Sequence, residues 1–265
     1  MIPVIKSIYV YPIKGVSGVE LNQSYLQKVG LVDDRRFMLV NQKNEFISQR
    51  SHKTLSQIKV DISNDANWTI HFGNNKIQFD KNTRLSDSFK CQIWEHSVEC
   101  VEISKELNSW FSDLLHEEIK LVAMKQNGSR IKKYSNREGS TPVSFAHGYP
   151  ILILGTASLD YLNSKLEQSV DANRFRANIL VQTEIPHIED TWTKIEIGDT
   201  LLEVIKPCAR CQVVNIDQES GVSSTEPIKT ISTYRKIENK IYFGANASCI
   251  KEGTLESSDQ VNLKN

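Results

Sequence analysis

Trp68-Thr69-Ile70-His71-Phe72-Gly73-Asn74-Asn75-Lys76-Ile77-Gln78-Phe79 alternates apolar and polar residues on either side of a Gly-Asn-Asn step. Alternation with period two puts the apolar set on one face of a strand, and Gly and Asn accept the positive φ of a short primed turn. The stretch predicts a β-hairpin. The same period recurs in Val4 to Val10, Arg36 to Val40 and Gln57 to Ile62, so the first hundred residues read as antiparallel β. Between Ser104 and His116 the period changes, because Leu107, Trp110, Phe111, Leu114 and Leu115 fall on one helical stripe. A helix is expected there, joining two β regions.

Further along, Gly128 to Gly139 is poor in apolar residues and carries Arg130, Lys132, Lys133 and Arg137, which reads as a mobile basic loop. Tyr149 to Leu154 suits a buried strand, followed by Thr156 as N-cap of a helix with Leu159, Leu162 and Leu166 inward. Lys194 to Leu202 reads as a hairpin turning at Gly198-Asp199. Pro227 suits the first turn of a short helix carrying Ile228, Ile231 and Tyr234, and Lys240 to Phe243 gives a further strand. The fold class expected is mainly β with a few helices, α+β.

The chain has 265 residues, 39% hydrophobic and 24% charged, which is ordinary globular composition and enough for a large core. Its 32 basic and 32 acidic residues cancel, which argues against a broad nucleic-acid surface. No apolar run approaches the roughly 20 residues that span a bilayer, and Met1 to Lys6 alternates too soon for a signal peptide. The expectation is a soluble, cytoplasmic protein with no membrane partner. Five cysteines are too few and too scattered for a disulfide framework, and one C-x-x-C without a second pair does not make structural zinc.

That pair, Cys208-Ala209-Arg210-Cys211, is the first candidate for chemistry. A thiolate is a nucleophile and a soft-metal ligand, and a neighbouring guanidinium favours it. The alternatives are two small buried side chains or a redox dithiol. The redox reading is disfavoured because Val204 to Lys206 and Gln212 to Ile216 both look like strands, without the helix start a thioredoxin-like motif needs. A second candidate set is cationic: Lys14, Arg35, Arg50, Arg174 and Arg176 stand at strand ends and turns, either as surface charges or as a compact anion site if they converge. Glu189-Asp190 beside Trp192 offers paired carboxylates, for acid–base work or for capping and pairing with an arginine. The six histidines have no metal-binding spacing.

Together these residues carry a resemblance. Tyr11-Pro12-Ile13-Lys14-Gly15, Gly30-Leu31 with Asp34-Arg35-Arg36-Phe37-Met38, and Ser48-Gln49-Arg50 resemble the N-terminal β-barrel domain found before MOSC domains. Ser144 to Pro150, Arg174-Phe175-Arg176-Ala177-Asn178, Glu189 to Trp192, Cys208 to Cys211 and Phe243-Gly244 are similar to the MOSC domain of molybdenum-cofactor sulfurases and their relatives. The layout is most like the mitochondrial amidoxime reducing components and their bacterial counterparts.

The resemblance implies an N-terminal β-barrel domain over residues 1–100 and a MOSC β-barrel domain over 101–265, clasping molybdenum cofactor between them. It places molybdenum on Cys211, with Cys208 not a ligand, and the rest of the cofactor on Lys14, Gly15, Arg35, Arg176, Asn178, Ala209, Arg210 and Asn246. Lys14, Arg35 and Arg176 would then answer the cofactor phosphate. The implied reaction is reduction of small N-hydroxylated substrates, amidoximes or hydroxylamines, by oxygen-atom removal. The rivals are a persulfide sulfur carrier and a cofactor storage or insertion module. The chain carries no iron–sulfur, flavin or haem motif of its own, so electrons are expected from an external flavoprotein reductase or electron-transfer protein. It also departs from the pattern. A serine is common where Gly15 and Ala209 stand, an aspartate is usual at His147, and a tyrosine of the mitochondrial proteins aligns with Asn246.

Overall fold

The computed structural model describes residues 2–85, 87–125, 128–135 and 138–264. The chain is mostly strand with three α-helices among these residues. The expected hairpin is present as Asn67–Phe72 with Asn75–Asp80, Trp68 facing Phe79; Phe72 pairs with Asn75, so the turn is the two residues Gly73-Asn74, with Gly73 at φ +56°. Trp68 and Phe79 close edge-to-face on Phe37, with ring centroids 5.4 and 5.8 Å from it. That aromatic trio belongs to a core that includes Ile13, Leu39, Ile58 and Ile103.

The helix Lys105–Leu115 covers this core with Leu107 and Phe111, both fully buried. Each such side chain contributes about 1.5–3 kcal/mol. Ser104 caps the helix by accepting from the Leu107 N–H at 3.3 Å, and His116 ends it in the left-handed region at φ +57°.

A second core lies under the largest sheet, whose order is Val19–Leu21, Val4–Val10, Ile179–Gln182, Ile151–Gly155, Lys240–Lys251, Thr200–Ala209, Lys194–Ile197 and Val261–Lys264. Lys236–Ile237 adds a short ninth strand against Lys240–Lys251. Neighbours are antiparallel except Ile151–Gly155 and Ile179–Gln182. A parallel pair needs a crossover, and the helix Thr156–Asn163 followed by the turn Ala172–Phe175 supplies it. Val4–Val10 and the strand Gln23–Gln27 are both built into this half, the latter by pairing with Gly253–Glu256. Ile5, Ile8, Val10, Leu26 and Leu31 therefore share a core with Ile153, Ile195 and Ala247. The segment after Val10 is where the chain crosses from one core to the other, because Ile13 already bridges to Phe37.

Three expectations need correction. Arg130–Lys133 and Ser140–Val143 form a two-stranded hairpin, where a basic loop was expected. The strand escapes an apolar-pattern reading because its inward residue is Arg130, 7% exposed and satisfied by backbone carbonyls. Arg137 lies outside the described residues. Gln212–Asn215 is a turn of 3-10 helix, closed by the Val214 N–H on the Cys211 carbonyl at 3.3 Å, although Val213 and Val214 are strand formers. Thr156 is the first helical residue and does not cap; its hydroxyl accepts from the Thr183 N–H at 3.1 Å and ties the helix to the neighbouring strand end. Among the described residues, no helix is long and apolar enough to cross a membrane.

Candidate functional site

Tyr11 stands at the crossing between the cores, 1% exposed. Its hydroxyl donates to the Ala177 carbonyl at 3.1 Å and its N–H to Asp34 Oδ1 at 2.8 Å, so one residue ties the two parts of the chain. The guanidinium carbons of Arg35 and Arg176 each lie 4.2 Å from the centre of its ring. The electron-rich face of a phenol attracts cations, which lets two arginines share one platform. Burial holds the Tyr11 hydroxyl protonated, its pKa pushed up to about 12, against the pull of Arg176 and Arg35.

Arg35 is tightly held: Nη1 donates to Asp34 at 2.6 and 2.8 Å and to Asn178 Oδ1 at 3.0 Å, and Nη2 donates to the Arg176 carbonyl at 3.0 Å. Asn178, 1% exposed, also accepts from the Leu152 N–H at 3.2 Å and donates to the Tyr9 carbonyl at 3.1 Å. Its amide is engaged on all sides, so it braces Arg35 and the strand ends. Arg176 ends the turn Ala172–Phe175 at φ +53°, and its Nη1 is buried without a hydrogen-bond partner. Burial and then Arg35 bring its pKa down to about 10. Lys14, 8% exposed, donates to the Phe145 carbonyl at 2.8 Å. Burial first, then Arg130, Arg35, Arg176 and Arg50, hold its ammonium well below the usual lysine range. Among the described residues, Asp34 is the one carboxylate in an ion pair with any of these cations.

The cysteine motif ends the ten-residue strand Thr200–Ala209. Arg210 turns back to donate to the Phe175 carbonyl at 2.6 Å and to Cys208 Sγ at 3.2 Å, while its Nε is buried without a partner. The guanidinium thus lies on the first cysteine. Cys211 is a free, half-buried thiol in extended backbone at the head of the 3-10 turn. Ala209 is exposed beside it. Asn246, opposite Lys206 in the adjoining strand, donates to the Pro207 carbonyl at 3.4 Å. Gly15 carries φ +90°, and its carbonyl accepts from Gln49 Nε2 at 2.7 Å.

The structure therefore brings Lys14, Arg35, Arg176, Asn178 and Arg210 into one network, with Gly15 adjoining Lys14, Ala209 and Cys211 at and just past the end of the strand Thr200–Ala209, and Asn246 in mid-strand between Leu152 and Lys206. Other candidates lie apart from it. Arg174 pairs with Asp217 at 2.9 Å. Glu189 is fully buried, accepting from Ser158 Oγ at 2.8 and 2.9 Å and from the Gly155 N–H at 3.2 Å, and Asp190 pairs with Arg235. Burial raises both carboxyl pKa values; these are bracing residues, the capping and pairing alternative. Sequence reasoning passed over Tyr11 as a cation platform and Arg130 as a buried cation. The first signalled itself only as a motif member and the second only as part of a charge run.

Gly15 also accounts for one departure from the related pattern. At φ +90° any side chain is strained, and a Cβ would stand 3.3 Å from Leu55 Cδ1. Gly15→Ser is expected to destabilise the protein by about 1–2 kcal/mol, read as a lower denaturation midpoint with an unchanged slope. An unchanged midpoint would mean that the backbone here relaxes freely.

The chain matches the MOSC N-terminal beta barrel domain over residues 2–118 and the MOSC domain over residues 140–262. It belongs to the MOSC family, with the β-barrel and MOSC arrangement that this membership entails. It is 28% identical to a molybdenum cofactor sulfurase of Oryza sativa over 96% of this chain, spanning 34% of that protein. It is 26% identical to human mitochondrial amidoxime-reducing component 1 over 98% of this chain and 82% of the relative. The chain thus spans about a third of the sulfurases and most of the amidoxime-reducing relative. Among solved structures, the YUAD protein of Bacillus subtilis aligns over 98% of this chain and 94% of its own, with 10% identity and a TM-score of 0.44.

Proposed function

We propose that this protein holds molybdenum cofactor at the Cys211 site and reduces small N-hydroxylated compounds, such as amidoximes, by removing the oxygen from nitrogen. The observation that carries the reading is a set of buried cations with too few anions. Arg176 and Arg210 keep unpartnered N–H groups, and the charges that act on the buried Lys14 ammonium, those of Arg130, Arg35, Arg176 and Arg50, are all positive. Burying charge this way is unfavourable unless a ligand supplies the opposite sign. A pterin phosphate fits that need, and the Cys211 sulfur is the soft donor that molybdenum accepts. Among the described residues no three His, Cys, Asp or Glu side chains gather as a metal-binding group, so a metal here would take its other ligands from a cofactor.

When bound, the cofactor supplies two-electron oxygen-atom chemistry. The chain's own residues do the rest. Lys14, Arg35, Arg176 and Arg210 bind and orient the anionic part, Asp34 and Asn178 keep Arg35 aimed, and Cys211 fixes the metal. Electrons come from a separate flavoprotein or electron-transfer protein. The test uses protein isolated from a host that makes the cofactor, assayed with benzamidoxime and an artificial low-potential reductant. Amidine formation is expected, and none with a pyridine nucleotide alone. The half-buried Cys211 and the sulfurase relatives favour one rival, a persulfide carrier. Cofactor-loaded protein that makes no amidine but releases sulfur to cyanide would establish that rival, and neither signal would leave a storage module.

A further inference from the structure

The cation network extends beyond what one phosphate needs, since a phosphate monoester brings about two negative charges. From Lys14 its contacts run in two directions. One leads to Arg35, Arg176 and Arg210 around Tyr11 and Phe175. The other leads over the Phe46 ring, which has the Lys14 ammonium 5.3 Å from its centre, to Trp94, whose centroid is 4.5 Å from that of Phe46. Arg50 places its guanidinium carbon 4.7 Å from the Trp94 ring centre, and the His147 ring stands edge-on to the same indole at 4.8 Å. His147 and Arg50 are exposed, so the Trp94 indole displays a guanidinium and an imidazole towards solvent.

The segment bearing His147 is fixed from below. Arg130, buried in the hairpin, donates to the Ser144 carbonyl at 3.1 Å and to the Ala146 carbonyl, and Lys14 donates to the Phe145 carbonyl between them. The charged groups that act on His147 are Lys14, Arg50, Lys132 and Arg130, all positive. Together with partial burial of the ring, the first cause, they hold its pKa down to about 4. The ring is then a neutral hydrogen-bonding group inside a positive field. Among the described residues, neither Arg50 nor Lys132 has a carboxylate partner.

Both ends of this patch are tied to the chain flanking Cys211. Gln49, next to Arg50, exchanges hydrogen bonds of 3.0 and 3.1 Å with Gln218, which follows the 3-10 turn begun at Cys211. Tyr149, two residues after His147, lies under the Lys206 ammonium at 5.6 Å, and Lys206 is two residues before Cys208. We propose that Arg50 and His147, side by side on Trp94, form a second anion subsite beside the Cys211 centre, and that the substrate carries a carboxylate which docks there. The inference rests on the reductase reading for the word substrate, but the subsite itself does not.

Binding is measured by calorimetry on oxidised, cofactor-loaded protein without reductant, using benzamidoxime and its 3- and 4-carboxy derivatives. One carboxylated isomer is expected to bind at least about ten-fold tighter than the neutral probe, a difference of about 1.4 kcal/mol. The preference should shrink as salt is raised, and Arg50→Gln should bring it close to unity with molybdenum and pterin content unchanged. Equal affinity for all three probes, or a preference that survives in Arg50→Gln, would overturn the subsite. So would loss of pterin from Arg50→Gln, which would assign the arginine to the cofactor. If the preference is found but no amidine ever forms, the subsite stands and the reductase reading fails. If amidine forms from probes that all bind equally, the reverse holds.

Discussion

Cys211→Ser is expected to fold normally and to lose its molybdenum. Serine preserves the size of the side chain and replaces a soft sulfur donor by a hard hydroxyl, which does not ionise near neutral pH. The local backbone has no reason to change. The 3-10 turn is closed by the Cys211 carbonyl and the Val214 N–H, and neither depends on the side chain. The thiol is only half-buried, so little packing is at stake. Metal analysis of protein from a cofactor-competent host should therefore fall to background, and amidine formation with it, while the circular dichroism and melting temperature stay near those of cofactor-free wild type.

Cys208→Ser separates this from a dithiol mechanism. The Cys208 sulfur accepts from Arg210, but that guanidinium is also anchored on the Phe175 carbonyl at 2.6 Å. A serine oxygen can take the same donor, so the arginine should keep its place and most of the molybdenum should remain. Equal loss from both variants would instead define Cys208 and Cys211 as a redox pair. The helix-start objection to that rival weakened once Gln212–Asn215 proved to be a 3-10 turn, so the comparison of the two serines now carries the decision.

What could be read from the sequence was local. The Trp68 to Phe79 hairpin, the Ser104-capped helix and the Gly198-Asp199 turn each state their structure within a dozen residues, through period, cap and positive φ. The hairpin at Arg130 was hidden because its inward residue is a cation held by carbonyls fourteen and sixteen positions away. The candidate site was legible as pieces and not as a place. Arg35 meets the Arg176 carbonyl across 141 positions, and Tyr11 meets Ala177 across 166. No periodicity reports such distances; the resemblance alone grouped these cations, by implying a common target for them.

The same uncompensated charge makes Lys14→Met a sharp test of why the network exists. In the cofactor-free protein the Lys14 ammonium is desolvated and repelled by the charges of Arg130, Arg35, Arg176 and Arg50; among the described residues the Phe145 carbonyl accepts its hydrogen bond and the Phe46 ring lies beneath it. Methionine has nearly the same length and no charge to bury. The carbonyl loses its donor, at a cost of about 1–3 kcal/mol, but removing an unpaired buried charge returns about 3–5 kcal/mol. The ligand-free variant should thus melt a few degrees higher, about 2–4 °C for each kcal/mol of net gain.

The sign with pH follows from the depressed pKa. Below its folded pKa Lys14 is protonated in both states and the penalty is full. Between that value and the ordinary 10.5, the unfolded chain holds the extra proton, so the lysine protein gains stability as pH rises and the penalty is gone above 10.5. The advantage of Lys14→Met should therefore be largest at low pH and shrink as pH climbs. Cofactor retention should move the other way, weakening by the roughly 1.5–3 kcal/mol of a charge-assisted contact, about ten- to a hundred-fold. A variant that is less stable at every pH, yet keeps its pterin, would make Lys14 an ordinary structural tie. A variant that is more stable and empty shows a cation held at the expense of the fold for the sake of an anionic ligand.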